Sequence, residues 1–257
     1  PATHTNCYVL GVPGGERVII DPAAKSKDAL DILSKKIDEI KATGSVIKAT
    51  IYTHKHQDHI GNLEEIEKLY KAPIWASKET LEEISELENN RVLEESDSFI
   101  LNGNNTSECW NIIETPGHCP GHICLVGDAG IVSGDNVSVI GTILVPSNDG
   151  DMNQYLEGLQ RMKEFNPPLL FPGHGPFSAN PERLLNRYIK HRSKRHQLVL
   201  DAVKKNFTDL ESIAKKSYED TPQAHPRLMI DQTLSHLKGH IKSGTIYFDN
   251  GKYSLNV

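Results

Sequence analysis

No part of this 257-residue chain strings together the ~18 apolar residues that a membrane-spanning helix needs, so no such span is expected. Cysteine is scarce: Cys7, Cys109, Cys119 and Cys124 are the whole supply, and none forms a C-x-x-C pair. A disulfide framework makes no sense at this length, and the four read as reduced, mostly buried thiols. There is no low-complexity tract, no internal repeat and no G-x-S-x-G turn for a serine nucleophile. Positive charge is in deficit over most of the chain. Residues 1–180 carry 14 Lys and Arg against 26 Asp and Glu, and the whole chain nets −6. A bulk field of that sign does not recruit nucleic acid, and no duplex DNA partner is expected. The first residues show neither a basic nor an apolar leader segment, and the chain lacks an initiator Met. We therefore expect residues upstream to be missing.

What the chain does contain is an alternation of strand and helix patterns. Cys7–Val12 and Arg17–Asp21 are apolar, β-branched runs around Pro13-Gly14-Gly15 and read as a hairpin. From Ser26 to Thr43, Leu30, Leu33, Ile37 and Ile40 recur at helical spacing, with Ser26 as N-cap and Gly44 as stop. Strands are expected at 46–52, 74–76, 109–114, 123–126, 131–133 and 169–171, and helices at 63–70 and 155–165. The tail differs. Residues 181–207 read as one long helix that begins with a proline, followed by helices at 210–218 and 228–242. A hairpin then turns at Asp249-Asn250-Gly251. That order is winged-helix-like, and two units are expected, 1–180 and 181–257.

The chemistry concentrates in Thr53-His54-Lys55-His56-Gln57-Asp58-His59. His54 and His56 are two apart, so in extended chain both point the same way and can reach one metal. Asp58 and His59 fall at the turn into the following helix and can face a second. Imidazole nitrogen and carboxylate oxygen are zinc donors, and a catalytic zinc keeps one position open. Three more candidates stand at strand ends beside Gly or Pro: His118 in Thr115-Pro116-Gly117-His118, Asp135 in Ser133-Gly134-Asp135, and His174 in Pro172-Gly173-His174-Gly175. His122, four residues after His118, reads as a support for a ligand loop.

His54-x-His56-x-Asp58-His59 followed in order by His118, Asp135 and His174 resembles the metallo-β-lactamase superfamily at all seven ligand positions. The resemblance implies a four-layer αββα sandwich, an α/β fold with a dinuclear site at one edge. It implies that His54, His56 and His118 hold one ion, that Asp58, His59 and His174 hold the other, and that Asp135 bridges them. Two Zn²⁺, or other divalent ions, would leave the site electropositive and bring a shared water to a pKa of about 7. Asp58 would then orient that water and accept its proton.

Asp at 135 differs from the Cys or Ser typical of the antibiotic-degrading members, and His at 56 differs from the Glu typical of the flavodiiron members. The 39 residues from Asp135 to His174 leave no room for a large inserted nuclease domain. Thr5-Asn6-x-Tyr8, Gly150-Asp151-Met152, Phe171-Pro172-Gly173-His174-Gly175-Pro176 and Tyr188-Ile189-x-His191-Arg192 resemble the group around beta-lactamase-like protein two. That group implies an intracellular enzyme, cytoplasmic or mitochondrial, that cleaves single-stranded RNA. Other look-alikes hydrolyse thioesters, including those of carrier proteins. Residues 181–205 net +6, and Arg187, Lys190, Arg192 and Lys194 are the candidate phosphate contacts. Three readings follow: a zinc-dependent endoribonuclease, a glyoxalase-II-like or carrier-protein thioesterase, and a metal-bearing binding protein without turnover.

Overall fold

A computed structural model describes residues 4–84 and 90–256. Two five-stranded sheets form its centre. The first contains β1 (Tyr8–Leu10), β2 (Glu16–Ile20), β3 (Val46–Ile51), β4 (Ile74–Ala76) and β5 (Arg91–Val92), side by side in that order. The second contains β6 (Ser98–Asn102), β7 (Ser107–Glu114), β8 (Ile123–Gly127), β9 (Gly130–Ser138) and β10 (Leu170–His174), again neighbours in sequence order. β1 pairs antiparallel with β2 through the expected turn, and the rest of the first sheet is parallel. In the second sheet β6 to β9 is an antiparallel meander, and β10 joins β9 in parallel.

The sheets face each other across one apolar layer. Val18, Ile20, Ala49, Ile51 and Trp75 of the first meet Phe99, Leu101, Trp110, Ile112, Ile123, Leu125 and Val132 of the second. Helices cover both outer faces. α1 (Lys27–Ala42) starts at Ser26, whose side chain accepts from the Ala29 N–H, as the capping reading requires. Its Leu33, Ile37 and Ile40 close over Ile19, together with Ile66 and Tyr70 at α3 (Leu63–Leu69). Between these two helices the short α2 (Gln57–Ile60) carries Asp58 and His59, and α4 (Lys78–Glu83) follows β4. α5 (Met152–Glu164) and α6 (Pro181–Lys204) lay Met152, Tyr155, Leu159, Met162, Leu184, Leu185 and Tyr188 on Ile113, Cys124, Ile131 and Val137. The result is the expected αββα arrangement.

After α6 come α7 (Leu210–Ser217), α8 (Pro226–Lys242) and a hairpin of β11 (Ile246–Asp249) with β12 (Lys252–Leu255). They share a core of their own with the far half of α6: Val199, Ala202, Val203, Ile213, Leu237, Ile246 and Tyr253. α6 therefore contributes its first half to the sandwich and its second half to the tail.

Two strand boundaries differ from the sequence reading. Asp135 and His174 lie inside β9 and at the last position of β10, not beyond the strands. Pairing continues through them, with Pro172 opposite Gly134 and His174 opposite Ser138, but the register slips on either side of Pro172. Those bulges re-aim side chains without ending the strand. Gly134 sits at φ +45°, and a Cβ there would lie 2.6 Å from His122 Nε2, so only glycine fits the kink.

Candidate metal centre

Seven side chains from four segments converge at one edge of the sandwich. The 54–59 segment leaves the carboxyl end of β3. His54 is fully buried and His56 half-buried, and their ring centroids are 4.8 Å apart. His118, from the loop between β7 and β8, turns Nε2 toward His56 Nδ1 at 2.9 Å. Asp135 enters from β9: Oδ1 is 3.3 Å from His59 Nε2, and Oδ2 is 3.3 Å from His174 Nε2 and 3.7 Å from His118 Nε2. Asp58 Oδ2 reaches the same His174 nitrogen at 3.3 Å. The Asp58 side chain is 61 % exposed, which leaves it on the open face of the site.

Each imidazole is held from behind, so that its other nitrogen faces inward. His59 Nδ1 donates to Asp21 Oδ2 at 2.8 Å. Asp21 is itself fixed by the Thr53 N–H at 2.8 Å and the Thr53 hydroxyl at 2.7 Å. His118 Nδ1 donates to the Leu144 carbonyl at 2.8 Å, and His174 Nδ1 to the His4 carbonyl at 2.9 Å. His56 Nε2 lies 3.3 Å from Asp149, which also pairs with Lys55 at 3.0 Å. His122 takes the support role expected of it, because its Nε2 accepts from the Asp135 N–H at 3.0 Å. Asn6 of the Thr5-Asn6-x-Tyr8 segment ties down the last ligand loop, donating to the Pro172 and Gly175 carbonyls at 2.9 and 2.6 Å. Asp21, Asp149 and Asn6 are not among the sequence candidates. Asp21 leaves one trace there, since it closes the β2 pattern beside Pro22.

The donor set fits divalent ions. Nε2 of His54, Nε2 of His59 and Oδ1 of Asp135 are buried polar atoms without hydrogen-bond partners among the described residues. Such atoms cost free energy unless something binds them. His54, His118 and Asp135 form one group able to hold an ion, and Asp58, His59 and His174 form another, with donor atoms within 4.8 Å of one another in each. Burial together with neighbouring imidazoles holds His54 well below the usual histidine range, so it is neutral and ready to donate. Burial lowers His59 too, but Asp21 and Asp135 outweigh it and push it up to about 10. Hydrogen bonds to Asp135 and Asp58 push His174 up to about 10. The His174 hydrogen bond holds Asp58 below its ordinary value.

The C-terminal helices reach this centre through one loop. Gln232 of α8 brackets Val145, accepting from its N–H at 3.3 Å and donating to its carbonyl at 2.9 Å. Arg192 of α6 donates to Gln232 Oε1 at 3.0 Å and to the Ile143 carbonyl. Leu144, whose carbonyl orients His118, sits between these two anchored residues. Arg192 is only 3 % exposed and is engaged with these acceptors, so it is not available as a phosphate contact. Lys194 is exposed but pairs with Asp220 at 2.6 Å, which neutralises it. Arg187 and Lys190 remain exposed, and Arg187 lies on the Ser138 and Val139 carbonyls at 3.0 and 3.2 Å.

This fold is that of a superfamily of metal-dependent hydrolases. The metallo-beta-lactamase superfamily model matches residues 1–174, and the chain belongs to that superfamily. It is 26 % identical over 250 residues to "Beta-lactamase-like protein 2 homolog" of Caenorhabditis elegans, covering 94 % of this chain and 80 % of that protein. It is 24 % identical to "Atrochrysone carboxyl ACP thioesterase" of Passalora fulva, over 93 % of this chain and 72 % of that one. A beta-lactamase domain protein from Burkholderia ambifaria superposes with a TM-score of 0.76 at 20 % identity, covering 98 % of this chain and 88 % of that one.

Two outcomes follow from the geometry. His59 and His174 have folded-state pKa values raised from 6.5 to about 10, so their contribution to stability is complete below pH 6.5 and is lost as pH rises toward 10. Thermal melts of metal-free protein should therefore fall across that window. Metal titrations over the same window should tighten, because ions displace those protons. A metal affinity that does not change with pH would contradict this. The second outcome concerns the loop: Gln232→Ala should weaken metal binding by about 10- to 100-fold, as loss of a ligand's supporting contact does. Ile213→Ala, a cavity in the C-terminal core away from the loop, should leave metal affinity unchanged, and titration of both variants decides it.

Proposed function

We propose that this hydrolase holds two zinc ions and cleaves phosphodiester bonds of single-stranded RNA. The observation that carries the reading is the exposed cation row Arg183, Arg187 and Lys190 on α6, whose middle member Arg187 reaches the end of the strand that carries Asp135. Arg187 rests on the Ser138 carbonyl, and the Ser138 hydroxyl in turn donates to the His174 carbonyl at 3.2 Å. Phosphates of an extended strand can lie along this row while one diester enters the site. On another side, a groove of about 770 Å³ beside His122 and Asp149 carries Glu79, Glu94 and Glu114 against Lys78, while Glu95 and Asp151 are paired with Arg161 and Lys242. Among the described residues the unpaired excess is negative and disfavours a polyanion there.

Bound divalent ions would supply Lewis acidity and an acidified water. The protein's own groups do the rest. Asp58, on the open face, orients the attacking water and accepts its proton. Neutral His122 holds the Asp135 backbone, and Asp21 keeps His59 from rotating. A second reading, thioester hydrolysis, is favoured by an apolar rim: Ile140 is 73 % exposed, and Leu144, whose carbonyl holds His118, is 39 % exposed. An acyl chain could rest there, and a relative carries the name of an acyl-carrier thioesterase.

Assay of metal-replete protein on labelled single-stranded RNA and on a thioester panel separates the readings. Under the RNA reading, the double change Arg187→Gln and Lys190→Gln raises KM for long RNA and lowers the salt slope by roughly 0.7 per lost contact. The same variant spares a small chromogenic diester. Asp58→Asn removes most turnover of any substrate, by about 10²-fold or more. Unaltered RNA binding in the double variant, with rapid thioester turnover, would favour the second reading.

A further inference from the structure

We propose that Cys119 is a sulfur donor to the ion held by His54 and His56. The proposal rests on the dinuclear reading above and adds a ligand that the seven-residue pattern lacks. Cys119 follows His118 directly and is fully buried. A nitrogen of His54, a nitrogen of His56 and the sulfur of Cys119 all lie within 4.8 Å of one another. Zinc–nitrogen bonds of about 2.0 Å and zinc–sulfur bonds of about 2.3 Å separate two donors on one ion by roughly 3.5 Å, so small side-chain shifts bring all three into reach. His54 Nε2 is a buried polar atom without a hydrogen-bond partner among the described residues, and an ion held by His54 would satisfy it. Burial and the nearby Asp149 push the Cys119 thiol up to about 12, against a smaller opposing pull from Lys55, so without an ion the sulfur keeps its proton.

The other thiols have different surroundings. Cys7 and Cys109 are exposed, and buried Cys124 lies 3.2 Å from both Thr115 Oγ1 and Asn136 Nδ2, in the outer core. Only Cys119 stands with two of the metal-centre histidines among the described residues. As the sulfur–metal bond forms, the S–H bond breaks and its proton leaves to solvent, with no change in oxidation state. A soft thiolate biases the position toward zinc, cobalt and cadmium over magnesium, calcium and manganese. The site would then be selective in a way that an all-nitrogen-and-oxygen set is not.

Cobalt titration of the metal-free full chain tests this directly. The first equivalent of Co²⁺ should bring a thiolate-to-cobalt charge-transfer band in the near ultraviolet, together with visible d–d bands. Cys119→Ser should abolish the charge-transfer band while keeping the d–d bands, and should weaken Cd²⁺ binding at least about tenfold. The double variant Cys7→Ser and Cys109→Ser should keep both sets of bands. Cys119→Ala, checked by circular dichroism, guards against a folding defect peculiar to serine. Two bound Co²⁺ ions without a charge-transfer band in the unaltered chain would overturn the sulfur ligand and leave the dinuclear reading standing. Survival of the band in Cys119→Ser would overturn it in the same way. Failure to bind Co²⁺ at all would overturn both.

Discussion

The structure turns on one buried carboxylate. Asp135 is 6 % exposed, and an isolated ionised carboxylate so deep would be untenable. It is tolerable because the His59 and His174 imidazoles stand 3.3 Å from its two oxygens, and their attraction outweighs the burial and holds it well below the ordinary carboxylate range. Its backbone N–H is tied to His122, and the Gly134 kink aims its side chain inward. Removing any one of these would leave a charge or a donor stranded in a low-dielectric pocket. The edge of the sandwich is therefore polar at its centre, and every contributing strand must end or bulge there in register.

That constraint explains the layering of supports. A ring of imidazoles can share ions only if each ring is fixed in tautomer and direction. The fold supplies the fixings from distant places: Asp21 from the end of β2, Leu144 from the loop after β9, His4 from the opening segment and Asp149 from the loop before α5. The C-terminal helices take part because Gln232 and Arg192 hold residues 143–145. The tail and the metal centre are mechanically joined, although they are separate in sequence and in their apolar cores.

Much of this is legible in the amino-acid order alone. The 54–59 cluster is local, so spacing reveals it. His118, Asp135 and His174 are betrayed by the Gly and Pro that flank them, since a chain must be re-aimed where it delivers a side chain. α1 announces itself through its cap and its apolar period. β5, β6 and α4 escape a pattern reading because they are short, and exposed Ile100 breaks the alternation in β6. Arg192 misleads because a charged residue in a basic run is normally solvated. Its partners, Gln232 and the Ile143 carbonyl, are 40 and 49 residues away, and no local pattern marks them. Asp21, Asn6 and Asp149 are hidden for the same reason: a supporting hydrogen bond is a property of the tertiary fold.

The central claim is that seven side chains hold two ions that share Asp135. Elemental analysis of metal-replete protein, paired with titration of the metal-free chain, tests it most directly. The account predicts about two divalent ions per chain, and loss of tight binding at both positions in Asp135→Ala, because both share that carboxylate. A single tight ion with no second site on titration would contradict it, and so would two ions retained unchanged in Asp135→Ala.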